Sequence, residues 1–184
     1  MRTNVVPSST SSWIAPDLQA VIDTLTDLQI LALTLFGEAR SEPIEGIVAV
    51  GCVIRNRVNS DLSRRSAAVS LRAKGDWWGE RYRGVCLAPY QFSMWHRFPG
   101  KDGVDRNYDK VVAMATRLAR EESGGSAIDE CAWVAEGIYR NALRDRVKGS
   151  THYHTVTLRP RPAWAQRKVP RLQVGNHVFY GGIT

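Results

Sequence analysis

The hydrophobic pattern at the start of the chain predicts two consecutive helices. The run "TDLQILALTLF", residues 26–36, is apolar on every side, so it predicts a fully enclosed helix. Thr26 and Gln29 have the spacing of a capping box at its first turn. In "PIEGIVAVGCVIRNRV", residues 43–58, apolar positions recur at a spacing near 3.6 and predict a second helix. The two helices meet at "GEARSE".

Further along the chain, the pattern changes from helices to strands. Helical periodicity returns over residues 107–120 and again over about 129–146. The segment "THYHTVTL" is rich in Thr and aromatic residues and favours a strand, and "RLQVGNHVFY" favours a hairpin about Gly175 and Asn176. Together these elements predict an α+β fold that is mainly helical, with a small C-terminal β-sheet.

Length and composition favour a single domain. The chain has 184 residues, of which 43% are hydrophobic, enough for one sizeable core. Residues 1–23 are rich in Ser, Thr and Pro and predict a flexible N-terminal arm, which leaves residues 24–184 as the domain. Nothing in the pattern requires more than a monomer. The N-terminus lacks the continuous apolar stretch of an export signal, so we expect synthesis in the cytoplasm without a signal peptide.

The positive charge of the chain is concentrated near its C-terminus. The net charge is +7, and nine Lys or Arg residues lie between Arg140 and Arg171. Such a region attracts polyanions, including an anionic wall or membrane surface. The basic residues do not form a recognisable nucleic-acid-binding signature, so no nucleic acid is expected as a partner. A basic module that binds nucleic acid is the non-enzymatic alternative for the function of the chain.

Glu38 is the first candidate for chemistry because it follows the apolar helix directly. Burial of a carboxylate raises its pKa by disfavouring the charged form, and a protonated Glu can act as a general acid. The alternative is that Glu38 pairs with Arg40 or caps the second helix, as charged residues at helix junctions often do.

Two further segments offer groups that could bind a polar ligand. "QFSMW" supplies the amide of Gln91, the hydroxyl of Ser93 and the flat ring of Trp95, whereas Phe92 is expected in the core. In "THYH", strand alternation places Thr151 and Tyr153 on one face, with His152 and His154 on the other. Asn56, within the second helix, is expected to be a buried amide with its hydrogen bonds satisfied.

Five ordered segments carry a resemblance to a known family. They are "FGEARSEPIEGIVAVGCVIRNRV", "APYQFSMW", "GSTHYH", "PAWA" and "VGNHVFY". In this order they resemble the SleB/CwlJ-type cell-wall hydrolases, which cut peptidoglycan. The resemblance implies a lysozyme-like fold related to lytic transglycosylases, with the Glu of "GEA", Glu38, as catalytic acid. The bulky insertion at residues 63–84 and the lack of wall-binding repeats depart from the spore enzymes and favour a phage endolysin-type member.

The resemblance also implies a reaction. Glu38 would protonate the β-1,4 glycosidic oxygen between N-acetylmuramic acid and N-acetylglucosamine. A muramidase would need a second carboxylate, for which Glu42 and Glu45 are the nearest candidates. Without one, the 6-hydroxyl of the sugar attacks and leaves a 1,6-anhydro product, the lytic transglycosylase outcome that we favour. Tyr153 would orient the acid or the sugar. The partner is then bacterial peptidoglycan, met after release into the periplasm or wall, with no cofactor.

A metal-dependent amidase is the main enzymatic alternative. It would use His152 and His154, with His96 or His177, around zinc. Such an enzyme would lose activity to a chelator. The three cysteines, Cys52, Cys86 and Cys131, stand apart and lack the spacing of a zinc site, so no metal is expected.

Overall fold

The computed structural model describes residues 14–60, 81–88, 91–95, 107–122 and 124–183. Within these ranges, six α-helices precede a sheet of three strands, and the predicted α+β class is confirmed. The helices are α1 (Pro16–Ile22), α2 (Asp27–Ala39), α3 (Ile44–Val58), α4 (Arg81–Leu87), α5 (Tyr108–Ala119) and α6 (Ser126–Tyr139). The strands are β1 (His152–Thr155), β2 (Leu172–Val174) and β3 (His177–Tyr180).

Helix α2 is the centre of the core. The predicted capping box is present, because Thr26 accepts from the backbone N–H of Gln29 while the Gln29 side chain accepts from the backbone N–H of Thr26. Every residue from Ile30 to Gly37 is buried. The helix packs against α3, α4, α5 and α6, which explains why its sequence is apolar on all sides.

Gly37 neither ends nor bends α2, although a glycine after an apolar helix often ends it. The helix continues to Ala39, and Met94 of a short 3-10 turn, Ser93–Trp95, packs against the glycine. A Cβ atom at position 37 would lie 2.0 Å from the Met94 sulfur. Gly37 is therefore needed for close packing, and Glu38 lies within the last turn of α2 rather than after it.

Helices α5 and α6 confirm the two later helical predictions with corrected ends. Asn107 precedes α5, but its side chain does not cap the helix. Its amide nitrogen instead donates to the Gly37 carbonyl and its amide oxygen accepts from Arg40. Helix α6 ends at Tyr139 instead of continuing to residue 146, and Asn141 follows with a φ of 60°, which a helix cannot continue through.

The sheet is antiparallel in the order β1-β3-β2, and β2 and β3 form the predicted hairpin about Gly175 and Asn176. In the β1–β3 register, Tyr153 pairs with Phe179 and Thr155 with His177. Paired residues share a face of a sheet, so Tyr153, Phe179 and His177 lie on one side and the alternate residues lie on the other.

The N-terminal part of the domain begins earlier than predicted. Residues 16–22 form α1 instead of belonging to the flexible arm, because Leu18 and Ile22 are apolar positions four residues apart that are buried in the core. Residues 1–13 of that arm lie outside the described residues. Among the helices that the structure describes, none has the length and apolar character needed to cross a bilayer.

Trp95 and Trp133 allow the same substitution to be compared inside and outside the core. The Trp95 ring is completely buried and its Nε1 donates to the Thr34 hydroxyl over 3.1 Å, whereas Trp133 is 61% exposed. We expect Trp95→Ala to lower the free energy of unfolding by about 3–5 kcal/mol, because it leaves a cavity. Trp133→Ala should change it by about 0.5 kcal/mol or less. Urea unfolding measures both, and equal losses would contradict the described packing.

Candidate active site

Glu38 is held by a hydrogen bond from the sheet. It lies in the last turn of α2, is partly buried, and its Oε2 accepts from the Tyr153 hydroxyl of β1 over 2.8 Å. The two residues are 115 positions apart in sequence, so the contact depends on the sheet docking against the helix end. Tyr153, which is expected to orient the acid or the sugar, thus contacts Glu38 directly.

The Tyr153 hydroxyl is a neutral donor. Its burial raises its pKa well above the usual range, the charge of Glu38 acts in the same direction, and Arg57 opposes them. Its ring meets His177 edge-on at 5.1 Å between centroids and lies 5.8 Å from the Phe179 ring. These ring contacts fix the position of the hydroxyl, and with it the direction from which Glu38 receives its hydrogen bond.

Arg57 is the charged residue of this site that the sequence reasoning missed. It is 5% exposed, on the inner face of α3, and its Nε donates to the Thr151 carbonyl over 2.7 Å. Its guanidinium also lies over the Phe92 ring, 5.4 Å from the ring centroid. Burial lowers the pKa of Arg57, while the nearby Tyr153 and Glu38 raise it. The spacing of Arg57 in the sequence indicates its burial, because Arg57 follows Val50 and Ile54 along the buried face of the helix.

Glu42 anchors the hairpin to the junction between α2 and α3. Its Oε2 accepts from the backbone N–H of Asn176 over 2.9 Å, and its Oε1 accepts from the Asn176 side-chain amide over 3.0 Å. The Glu42 side chain is only 6% exposed. A Cβ atom at Gly175, whose φ is +53°, would lie 2.2 Å from Oε2, so the turn needs a glycine for this approach. Both carboxylate oxygens of Glu42 therefore hold the hairpin turn in place.

Glu45 belongs to a different part of the surface. It is exposed in the first turn of α3 and lines a cavity together with Trp133 of α6 and Val174 of β2. Glu38 and Tyr153 are not among the residues that line this cavity. The structure thus separates the three carboxylates of the junction into three environments.

The segment "QFSMW" divides between the core and the surface. The prediction that Trp95 offers a ring face to a sugar is wrong, because the residue is completely buried and hydrogen-bonded to Thr34. Phe92 is buried, as expected. Gln91 is partly buried and Ser93 is exposed, and their role as ligand-binding groups stays a prediction.

The histidines of "THYH" lie on one face, as predicted. His152 and His154 contact the Trp164 ring with centroid distances of 5.0 and 5.9 Å. His154 is buried and its Nε2 is 3.1 Å from the Tyr180 hydroxyl, so its predicted exposure to a ligand is wrong. His152 is partly buried, and burial together with Arg57 lowers its pKa to about 4. His152 is therefore neutral at pH 7.

The geometry of the histidines does not favour the zinc amidase. His177 lies on the opposite face of the sheet from His152 and His154. Across the ranges that the structure describes, no group of three His, Cys, Asp or Glu side chains is placed to hold a metal. His96, the remaining histidine of that alternative, lies outside the described residues.

The hydroxyl of Thr151 and the amide of Asn56 have local partners. Thr151 Oγ1 is 3.1 Å from His152 Nδ1, and the Thr151 carbonyl accepts from Arg57. Asn56 is partly buried and its amide donates to the Ser150 carbonyl over 3.0 Å, which agrees with its expected role as a satisfied amide. Both residues support the start of β1, from which Tyr153 reaches Glu38.

The arrangement as a whole is suited to proton transfer. One carboxylate is oriented by a neutral hydroxyl, and a buried cation lies close enough to interact with both groups. A cation in a low-dielectric setting stabilises a carboxylate when it gives up its proton. The site can thus donate a proton and take one back at a fixed position.

Comparisons with known proteins find sequences similar to this chain. A family model described as Cell Wall Hydrolase matches residues 41–180 and begins three residues after Glu38. The spore cortex-lytic enzyme of Bacillus subtilis (strain 168) is 52% identical over 42 residues, or 23% of this chain and 14% of that protein. That of Oceanobacillus iheyensis is 58% identical over 36 residues, 20% of this chain and 13% of the relative. No solved structure matches significantly, so the lysozyme-like relationship stays a prediction.

Glu42 and Glu45 provide a matched test of the anchor. In Glu42→Gln, one of the two Asn176 donors meets an amide N–H2 group instead of an oxygen. We expect the free energy of unfolding to fall by about 1–3 kcal/mol. The exposed Glu45→Gln should change it by about 0.5 kcal/mol or less. Urea unfolding of both variants makes the comparison, and a Glu42→Gln protein as stable as the wild type would contradict the anchoring role.

Proposed function

The chain belongs to the cell wall hydrolase family, and we propose that it cleaves peptidoglycan with Glu38 as its acid. The proposed bond is the β-1,4 linkage between N-acetylmuramic acid and N-acetylglucosamine. The proposed outcome is that of a lytic transglycosylase. The observation that supports this most directly is the hydrogen bond from Tyr153 to Glu38, because it orients one carboxylate of the junction at a helix end.

The first step is proton donation. Glu38 gives its proton to the glycosidic oxygen, the bond from that oxygen to C1 of the muramic acid breaks, and positive charge develops at C1 and the ring oxygen. Glu38 becomes a carboxylate in this step. Arg57 and the Tyr153 hydroxyl then stabilise the new charge, the first as a buried cation and the second as a hydrogen-bond donor.

The second step reverses the role of the same residue. The 6-hydroxyl of the muramic acid attacks C1, and the Glu38 carboxylate takes the proton of that hydroxyl. The products are a 1,6-anhydro end and a free 4-hydroxyl on the leaving sugar, and Glu38 has its proton back. No water and no second carboxylate take part. Tyr153 acts here as a positioning residue, because its hydroxyl binds Glu38.

The environments of Glu42 and Glu45 favour the transglycosylase outcome over that of a muramidase. Glu42 uses both oxygens to bind Asn176, and Glu45 faces the cavity beside Trp133. A muramidase that used Glu42 would lose the hydrogen bonds that anchor the hairpin. One that used Glu45 would need a carboxylate that lines a different cavity from Glu38. Gln91 and Ser93 are the proposed contacts to sugar hydroxyl or N-acetyl groups, because both keep polar atoms near the surface.

The proposed substrate also defines where the protein acts. Peptidoglycan lies in the wall or periplasm, so we propose that the chain acts there after release from the cytoplasm, in a phage-infected host. The basic residues between Arg140 and Arg171 would favour contact with an anionic wall or membrane surface. We propose that the protein does so as a monomer.

Replacing Glu38 tests the proposed acid. Glu38→Gln removes the proton but nearly preserves the shape of the side chain, so the rate of wall lysis should fall by at least about 100-fold. The lysis of purified bacterial walls is followed as a loss of turbidity, and unfolding in urea checks that the variant is folded. Glu136→Gln, at an exposed glutamate of α6, is the matched control and should keep its activity.

The products that the wild-type protein releases separate the alternatives. Mass analysis should find 1,6-anhydro ends, and a chelator should leave the rate unchanged. Reducing ends would instead identify a muramidase or glucosaminidase. Free stem peptides with chelator-sensitive activity would identify the amidase, and fully active Glu38→Gln would exclude Glu38 as the acid.

Tyr153→Phe tests the positioning role. The substitution keeps the ring beside His177 and Phe179 but removes the hydroxyl that binds Glu38. Loss of a hydrogen bond to a charged group predicts a decrease in kcat of roughly 10–100-fold with little change in KM. Tyr139→Phe, at an exposed tyrosine of α6, is the control. A change confined to KM, or the same decrease in both variants, would contradict the role.

A further inference from the structure

A surface groove beside α6 is lined by residues that the proposed reaction does not use. Two cavities, of about 720 and 580 Å³, share Ile44 and Trp133 in their walls. Trp133 is 61% exposed and Ile44 is 37% exposed, so an aromatic and an aliphatic side chain stand together at the junction of the cavities. The two cavities are therefore adjacent, with apolar side chains at their shared wall, and we call them together the Trp133 groove.

The ends of the Trp133 groove carry opposite charge. The charged residues of the larger cavity are Arg144, Arg146 and Glu45, which leave one net positive charge, and those of the smaller cavity are Asp129, Glu130 and Glu42. Glu42 is already bound to Asn176. The two arginines, Asp129 and Glu130 are all exposed. Within the described part of the chain, their side chains make no hydrogen bond or ion pair, so their charges are available to a ligand.

This pattern specifies a ligand with an apolar middle and opposite charges at its ends. An uncharged glycan would bring nothing to pair with the four charged side chains, although it could stack on Trp133. A nucleic acid or another polyanion would be repelled by Asp129 and Glu130. A short peptide that has a free carboxylate and an ammonium group matches both ends of the groove.

We propose that the Trp133 groove binds the peptide stem of peptidoglycan. The stem carries free carboxylates and, on its diamino acid, an ammonium group. The carboxylate pairs with Arg144 and Arg146, the ammonium group pairs with Asp129 and Glu130, and the aliphatic part of the peptide lies on Trp133 and Ile44. This inference rests on the proposed function, because that function makes peptidoglycan the polymer that the protein meets.

The groove is placed to hold the substrate outside the reacting centre. Glu42 lines the smaller cavity and binds Asn176, and the adjacent His177 contacts the ring of Tyr153, which binds Glu38. The groove and the acid are thus connected through the same junction of helix and sheet. A stem bound in the groove would fix a glycan strand relative to Glu38 without touching the bond that breaks.

The test measures peptide binding in a protein that does not need to be active. The Glu38→Gln variant is titrated with the N-acetylated tetrapeptide alanyl-γ-glutamyl-lysyl-alanine, and tryptophan fluorescence is followed. We expect a saturable change that disappears in the additional variant Trp133→Phe. Removing both arginines, by Arg144→Gln and Arg146→Gln, should weaken binding roughly tenfold or more. Arg167→Gln, at an exposed arginine outside the groove, should not.

A second peptide tests the acidic end separately. Acetylation of the lysine removes the ammonium charge, so this peptide should bind more weakly to the parent protein. Asp129→Asn with Glu130→Gln should weaken the binding of the charged peptide but leave that of the acetylated peptide unchanged. Equal effects on both peptides would contradict the assignment of this end to an ammonium group.

Three outcomes would overturn the inference. They are the absence of saturable binding, a fluorescence change that persists in Trp133→Phe, and a Trp133 signal from a peptide-free oligomer of N-acetylglucosamine in place of the peptide. None of them bears on the acid, which the lysis assay tests separately. Conversely, wall lysis by Glu38→Gln would remove the proposed function while leaving a measured peptide affinity in place.

Discussion

The burial of α2 on every side is the constraint on which the rest of the structure depends. Four other helices pack against it, and its residues from Ile30 to Gly37 are buried. A helix in this position can present a charged group only at its ends, because a buried unpaired charge is costly. Glu38, in the last turn, is therefore at a place where the core itself determines the position of a carboxylate.

The small sheet binds the carboxylates at and just after the C-terminal end of α2. Tyr153 binds Glu38 from β1, and Asn176 binds Glu42 from the turn between β2 and β3. Both hydrogen bonds cross more than a hundred residues of sequence, so they form only when the sheet docks in its native register. A shift of one residue in β1 would turn Tyr153 to the opposite face and put a histidine in its place. The geometry of the acid thus depends on strand pairing as well as on α2.

The features that the sequence predicted are those that local physics determines. The capping box of Thr26 and Gln29 and the turn at Gly175 need only residues close in sequence. The composition of "QFSMW" favours a ligand-binding loop with an exposed Trp95. Its burial against Thr34 follows from tertiary packing that no short segment contains. Arg57 was missed for a related reason, since a charge on an apolar face acquires meaning only from its neighbours in space.

The same distinction explains why Glu38, Glu42 and Glu45 could not be separated by sequence. They lie within eight positions, and Pro43 interrupts the helical register between the first and the other two. Each then receives its environment from a different distant element: a tyrosine of β1, the backbone of the hairpin turn, or the open groove beside α6. Carboxylates with nearly equal chemistry in the unfolded chain acquire separate tasks on folding, because the strands and α6 approach the junction from different sides.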